Sequence, residues 1–137
     1  MADWKSAELR SIPATGAGAE PETWVGFVDD PATYVKGWHA VREQLGISAF
    51  GVNAITAAAG GTLVVPHDET EYGGQEELYV VIAGRARFRC GETDVEHGPG
   101  GVVFCGGSVM RSAVALEDTT TVLMISGYGD RGYEANM

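Results

Sequence analysis

The sequence predicts an all-β domain with one helix ahead of it, and three observations carry that expectation. From Ile47 onward the apolar residues recur with period two. Gly or Pro interrupts this pattern about every eight to twelve residues, the rhythm of a barrel or sandwich. Upstream, a single stretch has helical spacing between a start signal and a stop signal.

That stretch is "DDPATYVKGWHAVREQLGI". Asp30 suits an N-cap, Pro31 the first helical position and Gly46 the stop, so a helix is expected over 31–45. Tyr34, Trp38, Val41 and Leu45 would share its buried face, with His39 beside them as an ordinary surface or partly buried histidine. Before it, residues 9–12 read as a short strand and "PATGAGAEPE" as a surface loop. After it, strands are expected near 48–57, 61–67, 77–83, 86–90, 93–96, 101–105, 109–115 and 120–126. The chain thus divides into an N-terminal extension (1–47), a β domain (48–126) and a tail (127–137).

Within "ELYVVIAGRARFRC", Gly84-Arg85 has the composition of a two-residue hairpin that would set Ala83 opposite Ala86 and Val81 opposite Phe88. Alternation puts Glu77, Tyr79, Val81, Ala86, Phe88 and Cys90 on one face and Arg85, Arg87 and Arg89 on the other. The face with the phenylalanine belongs inside. The arginines then form a solvated stripe that discourages edge pairing. Glu77 is the odd inward member, because a buried carboxylate costs several kcal/mol unless it finds a partner.

Composition narrows the function classes. The 137 residues suit one domain, long enough to bury about 70% of its unfolded surface without a disulfide or structural metal. A formal charge of −10 repels phosphate backbones and anionic lipid, so neither nucleic acid nor membrane is expected as a partner. The start "MADWKSAELR" lacks the apolar core of a secretory signal, which points to the cytoplasm. The uncharged run from Gln44 to Pro66 is long enough to span a bilayer, yet its glycines, Ser48, Asn53, Thr56 and Thr62 suit two strands and a turn better. Cys90 and Cys105 form neither a CxxC pair nor a disulfide framework and read as half-buried thiols. No GxSxG elbow, P-loop, HExxH or Ser-x-x-Lys occurs, and the tail's GxG is too isolated to signal a nucleotide site. His97 sits at a turn and reads as solvent-exposed.

"GTLVVPHDETEYGGQEELYVVIAG" resembles the first signature of the cupin superfamily: Gly, five residues, His-x-His, three or four residues, Glu, six residues, Gly. Here Gly61, His67, Glu69, Glu77 and Gly84 fall in that order, with Glu69 at the second histidine and a spacer of seven residues. In "GPGGVVFCGGSVMRSAVA", the second signature anchored on Gly100 places Arg111 where the family has its histidine. The resemblance covers about 48–126 and implies a cupin-type jelly-roll β-barrel. Asp68, Glu71 and Glu76 are then expected to be solvated, turned away from the barrel or carried in the lengthened spacer.

Fuller members of that family hold iron, manganese, zinc or nickel inside the barrel on three histidines and a glutamate. What carries over is a metal set of His67, Glu69 and Glu77, a facial arrangement for Fe, Mn or Zn, with His67 and Glu69 projecting alike from one strand. Arg111 opposes it. A guanidinium stays charged and forks well onto carboxylates, so the simpler charge balance has Arg111 in place of the cation, pairing with Glu69, Glu77 or both.

Several readings stay open. His67, Glu77 and Tyr79 are catalytic candidates for metal-independent acid–base chemistry (isomerisation, epimerisation or dehydration) on a small polar or anionic metabolite, with Arg111 and Glu69 binding it. A non-enzymatic binding or sensing cupin and a metal-dependent, dioxygenase-like cupin are the alternatives. A purely structural salt bridge is the last. The three tryptophans, Trp4, Trp24 and Trp38, leave room for a homodimer that buries some of them.

Overall fold

The computed structural model describes residues 3–135. Among these, nine strands make two antiparallel sheets: β1 (Trp38–His39), β2 (Gly51–Ala57), β3 (Thr62–His67), β4 (Glu76–Ala83), β5 (Ala86–Cys90), β6 (Thr93–His97), β7 (Val102–Cys105), β8 (Arg111–Ala115) and β9 (Thr120–Gly127). One sheet has the order β1-β2-β9-β4-β7 and the other β3-β8-β5-β6. The two sheets face each other as a jelly roll but do not close into the barrel expected from the resemblance. Strand edges therefore persist, at β1 and β7 in one sheet and at β3 and β6 in the other.

The hairpin expected at Gly84-Arg85 does not form. β4 is already flanked by β7 and β9, and β5 by β6 and β8. A strand has only two edges, so none is left for Ala83 to pair with Ala86. Gly84 instead carries the chain from one sheet to the other at φ +74°, a conformation that glycine adopts freely.

The expected division into faces nevertheless holds. Tyr79, Val81, Ala86 and Phe88 are buried while Arg85, Arg87 and Arg89 are exposed. Tyr79 and Phe88 meet across the interior with ring centroids 5.7 Å apart. Ile55, Leu63, Val103, Ala113, Ala115 and Val122 fill the same core. Cys90 and Cys105 are free thiols facing each other from opposite sheets, with their Sγ atoms 4.0 Å apart.

The helix expected over 31–45 is two short ones, α1 (Pro31–Lys36) and α2 (Val41–Leu45). Asp30 does cap α1, accepting from the Thr33 amide, and Gly46 ends α2 in the left-handed region. Between them Trp38 and His39 pair with Ile55 and Ala54, and the Gly37 carbonyl accepts from the Thr56 amide at 2.8 Å. Hydrogen bonds to β2 replace those of a helical turn. Residues 9–11 form a single 3-10 turn rather than a strand.

The four residues of the expected helical face consequently separate. Tyr34 and Trp38 join Trp24 in an aromatic cluster against the inner core, with Trp24 and Tyr34 in edge contact at 4.9 Å. Val41 and Leu45 go with Ile12, Val52 and Ala54 to cover the outside of the five-stranded sheet. Of the tryptophans, Trp24 and Trp38 pack within the chain and Trp4 is 74% exposed. His39 is buried at 5%, between the Ile12 carbonyl (2.8 Å) and Thr56 Oγ1 (2.9 Å), and ties the N-terminal segment to β2. His97 is half-buried at the end of β6. No helix among the described residues is long and apolar enough to cross a membrane.

Candidate functional site

The open ends of β3, β4 and β8 bring three side chains together from both sheets. His67 closes β3, and Arg111 stands beside it as its register partner on β8. Glu77 lies on β4 in the opposite sheet, in the inward set with Tyr79 and Val81. Arg111 opens the buried alternation of β8, above Ala113 and Ala115, whose small side chains leave the guanidinium room to cross the interior. Its Nη1 donates to Glu77 Oε1 at 2.6 Å.

Glu69 arrives by another route. It does not share a strand face with His67, because β3 ends at His67. Glu69 precedes a 3-10 turn at Thr70–Tyr72, and the backbone pins it on both sides. Its amide donates to the Gly107 carbonyl at 2.8 Å, while its carbonyl accepts from the Tyr72 and Gly74 amides. The lengthened spacer is thus an ordered turn whose Gly73 and Gly74 adopt φ +86° and +75°. Glu71 and Glu76 are exposed, and Asp68 is half-buried and caps Thr70.

His67 Nδ1 lies 2.6 Å from the Val65 carbonyl, which can only accept, so Nδ1 carries a proton. Nε2 then points between two carboxylates, 3.7 Å from Glu69 Oε1 and 3.6 Å from Glu77 Oε1. These separations exceed a hydrogen bond, and the attraction is coulombic. Burial pulls the imidazole towards its neutral form, but Glu69 and Glu77 outweigh that and push its pKa up to about 10.

For Glu77, burial raises the carboxyl, and His67, Tyr79 and Arg111 together hold it below its ordinary range. The Tyr79 hydroxyl donates to the same Oε1 at 2.7 Å. Burial first, then Glu77, drives the phenol pKa far up, so Tyr79 stays a proton-bearing donor. His67 and Arg111 thus face the carboxyl groups of Glu69 and Glu77.

A cleft of about 220 Å³ opens beside this cluster. His67, Glu69 and Glu77 line it, together with Asn53, Gln75 and Ser126 and an aromatic group that includes Trp24, Phe27, Trp38 and Tyr133. Tyr79 and Arg111 do not line it. Arg111 is 1% exposed, and its remaining donors go to the Gly106 and Val109 carbonyls at 2.6 and 2.8 Å. The expectation of a ligand anion on Arg111 thus meets a guanidinium turned to Glu77 and two carbonyls. Sequence reasoning missed Asn53 and Ser126. They are polar residues on the inward faces of β2 and β9, the same signal that singled out Glu77.

One ligand atom from each of His67, Glu69 and Glu77 lies within 4.8 Å of the others. Arg111 competes with a divalent ion for this donor set. The Glu77 oxygen that faces His67 already takes the Arg111 and Tyr79 hydrogen bonds. A metal bound about 2.1 Å from it would stand within about 5 Å of a permanent cation, a repulsion of several kcal/mol at low effective dielectric.

No protein-family model matches the chain, and no curated protein matches it in sequence. Solved structures match in fold. A cupin protein from Bacteroides fragilis superposes with a TM-score of 0.58 at 18% identity, over 69% of this chain and 80% of that one. KdgF from Halomonas sp. gives 0.51 at 20% identity, over 61% and 73%. A double-stranded β-helix protein from Klebsiella pneumoniae gives 0.52 at 15%, over 62% and 72%. With its two facing sheets and strand order, the chain has the fold of the cupin superfamily.

Proposed function

We propose that the chain binds a small polar molecule in the cleft between its sheets and acts on it, without a metal, by proton transfer through His67. The observation that carries this reading is the placement of His67 Nε2 at the cleft floor between Glu69 and Glu77, with Arg111 and Tyr79 securing Glu77 from behind. His67 is the general acid, and Glu69, beside it on the cleft wall, is the base. Tyr79 and Arg111 become positioning residues for Glu77 in place of the catalytic and substrate-binding roles expected of them. Isomerisation and dehydration both need only such a proton relay. Metal-dependent, dioxygenase-like chemistry is disfavoured by Arg111, whose fixed charge already holds Glu77 Oε1.

A binding module without turnover is the second reading. One observation favours it: a histidine pushed up to about 10 is a weak acid at neutral pH, and catalytic acids work best near the operating pH. Native mass spectrometry of the purified chain, followed by incubation of any retained ligand with the protein in D2O, separates the two. Deuterium on ligand carbon, lost in His67→Gln, is the result expected for proton transfer. A ligand retained intact and unlabelled leaves the binding module. Protein that carries neither a ligand nor measurable affinity for one would end both.

A further inference from the structure

The chemistry of the cleft lining bears on what it binds, and this step rests on the small-molecule reading above. None of the residues lining the cleft is a lysine or an arginine. Its charged groups are two carboxylates and His67, and the cation nearest to them, Arg111, is spent on Glu77 and two backbone carbonyls behind the wall.

The two carboxylates are not equivalent. Glu77 Oε1 receives both Arg111 and Tyr79. Glu69 is also buried, 7% exposed, yet its carboxylate accepts no hydrogen bond from the described residues, and its near partner is His67 Nε2 at 3.7 Å. No fully buried side-chain oxygen among the described residues lacks a partner, so the free acceptor capacity of Glu69 opens onto the cleft it lines. Trp24, Phe27, Trp38 and Tyr133 line the same cleft. Trp24 is anchored by its indole N–H to the Gly18 carbonyl at 2.8 Å and packs on Trp38 at 6.0 Å, so these two rings are held in place.

We propose that the cleft selects a small organic cation, an amine or alkylammonium group on an apolar body, with the nitrogen at Glu69 and the body among Trp24, Phe27, Trp38 and Tyr133. An ammonium supplies the donors Glu69 lacks, and the aromatic faces attract both its charge and its hydrocarbon. An anion of the same size would meet two carboxylates and no lining cation except His67, which those carboxylates already hold.

Three probes of one shape test this by calorimetry at neutral pH: phenethylammonium, neutral 2-phenylethanol and anionic 3-phenylpropanoate. The ammonium is expected to bind about ten-fold tighter than the alcohol, the anion weakest, and Glu69→Gln to remove the ten-fold preference while leaving the alcohol unchanged. Equal affinities for ammonium and alcohol, a preference for the anion, or an ammonium affinity unaltered in Glu69→Gln would each overturn the cation assignment. Alcohol binding that weakens in Trp38→Ala would in those cases leave the small-molecule reading standing. Should no probe bind, the cation assignment fails, and the deuterium experiment judges the proton-transfer reading separately.

Discussion

Arg111 Nη1 on β8 sits 2.6 Å from Glu77 Oε1 on β4, an ion pair that spans the interior from one sheet to the other. Arg111 is buried, with 1% of its side chain exposed, and Glu77 is largely buried, with 12% exposed. Removing one member leaves the other charged and largely desolvated, which costs about 3–5 kcal/mol. Arg111→Met is therefore expected to lose about that much in urea denaturation. Adding Glu77→Met to it should recover about 2 kcal/mol or more, since the two charges no longer need each other. Additive losses in the double variant would contradict the pairing.

The cluster also makes stability depend on pH. His67 is raised from its ordinary 6.5 to about 10, so the folded chain holds its proton more tightly. Its contribution is complete below pH 6.5 and is lost as the pH climbs towards 10. Glu77 is lowered, so its contribution is complete above its ordinary 4.5 and is lost on acidification. Stability from these groups should peak between about pH 4.5 and 6.5. Urea midpoints measured from pH 6.5 to 8.5 are expected to fall in the parent and to stay flatter in His67→Asn. An equally steep fall in that variant would assign the pH dependence elsewhere.

Metal content tests the role of Arg111 directly. Protein purified without added metal is expected to carry substoichiometric Fe, Mn and Zn. Arg111→His removes the fixed cation and supplies a fourth ligand beside His67, Glu69 and Glu77, and it should bind zinc. Stoichiometric metal in the parent that disappears in Glu77→Ala would refute the competition argued for Arg111.

Glu69 depends on a close backbone approach. A Cβ on Gly107 would lie 2.7–2.9 Å from the backbone of Gly74, in the turn that Glu69 anchors. Gly107→Ala should push that turn away, costing about 1–3 kcal/mol. Ligand affinity should fall with it, although no side chain in the cleft has changed. A variant with parental stability and affinity would show that the turn yields freely.

Much of this was readable in advance because alternation is local. In a strand, successive side chains point to opposite faces by covalent geometry alone. Glu77 was therefore recognisable as an inward carboxylate, and Arg85, Arg87 and Arg89 as outward, before any strand partner was known. The spacing of Gly61, His67, Glu77 and Gly84 carried the cupin fold across the same stretch. Even the idea that Arg111 stands in for a cation came from residue type, because guanidinium does not give up its charge.

Partnership was not local, and there the sequence left alternatives. Gly84-Arg85 had the chemistry of a hairpin, but both edges of β4 were taken by β7 and β9, and the chain crossed to the other sheet. Residues 31–45 had helical spacing, but pairing of Trp38–His39 with β2 replaced a turn of helix. Arg111 could have met Glu69, Glu77 or both. It reaches Glu77 because the packing of two sheets fixes which donor lies within 3 Å of which oxygen. By itself the sequence determined which faces turn inward and which charged types they bring. Only the tertiary structure decided that Glu69 is left without a hydrogen-bond donor from the described residues and that aromatic side chains line the same cleft, since both depend on contacts between segments distant along the chain.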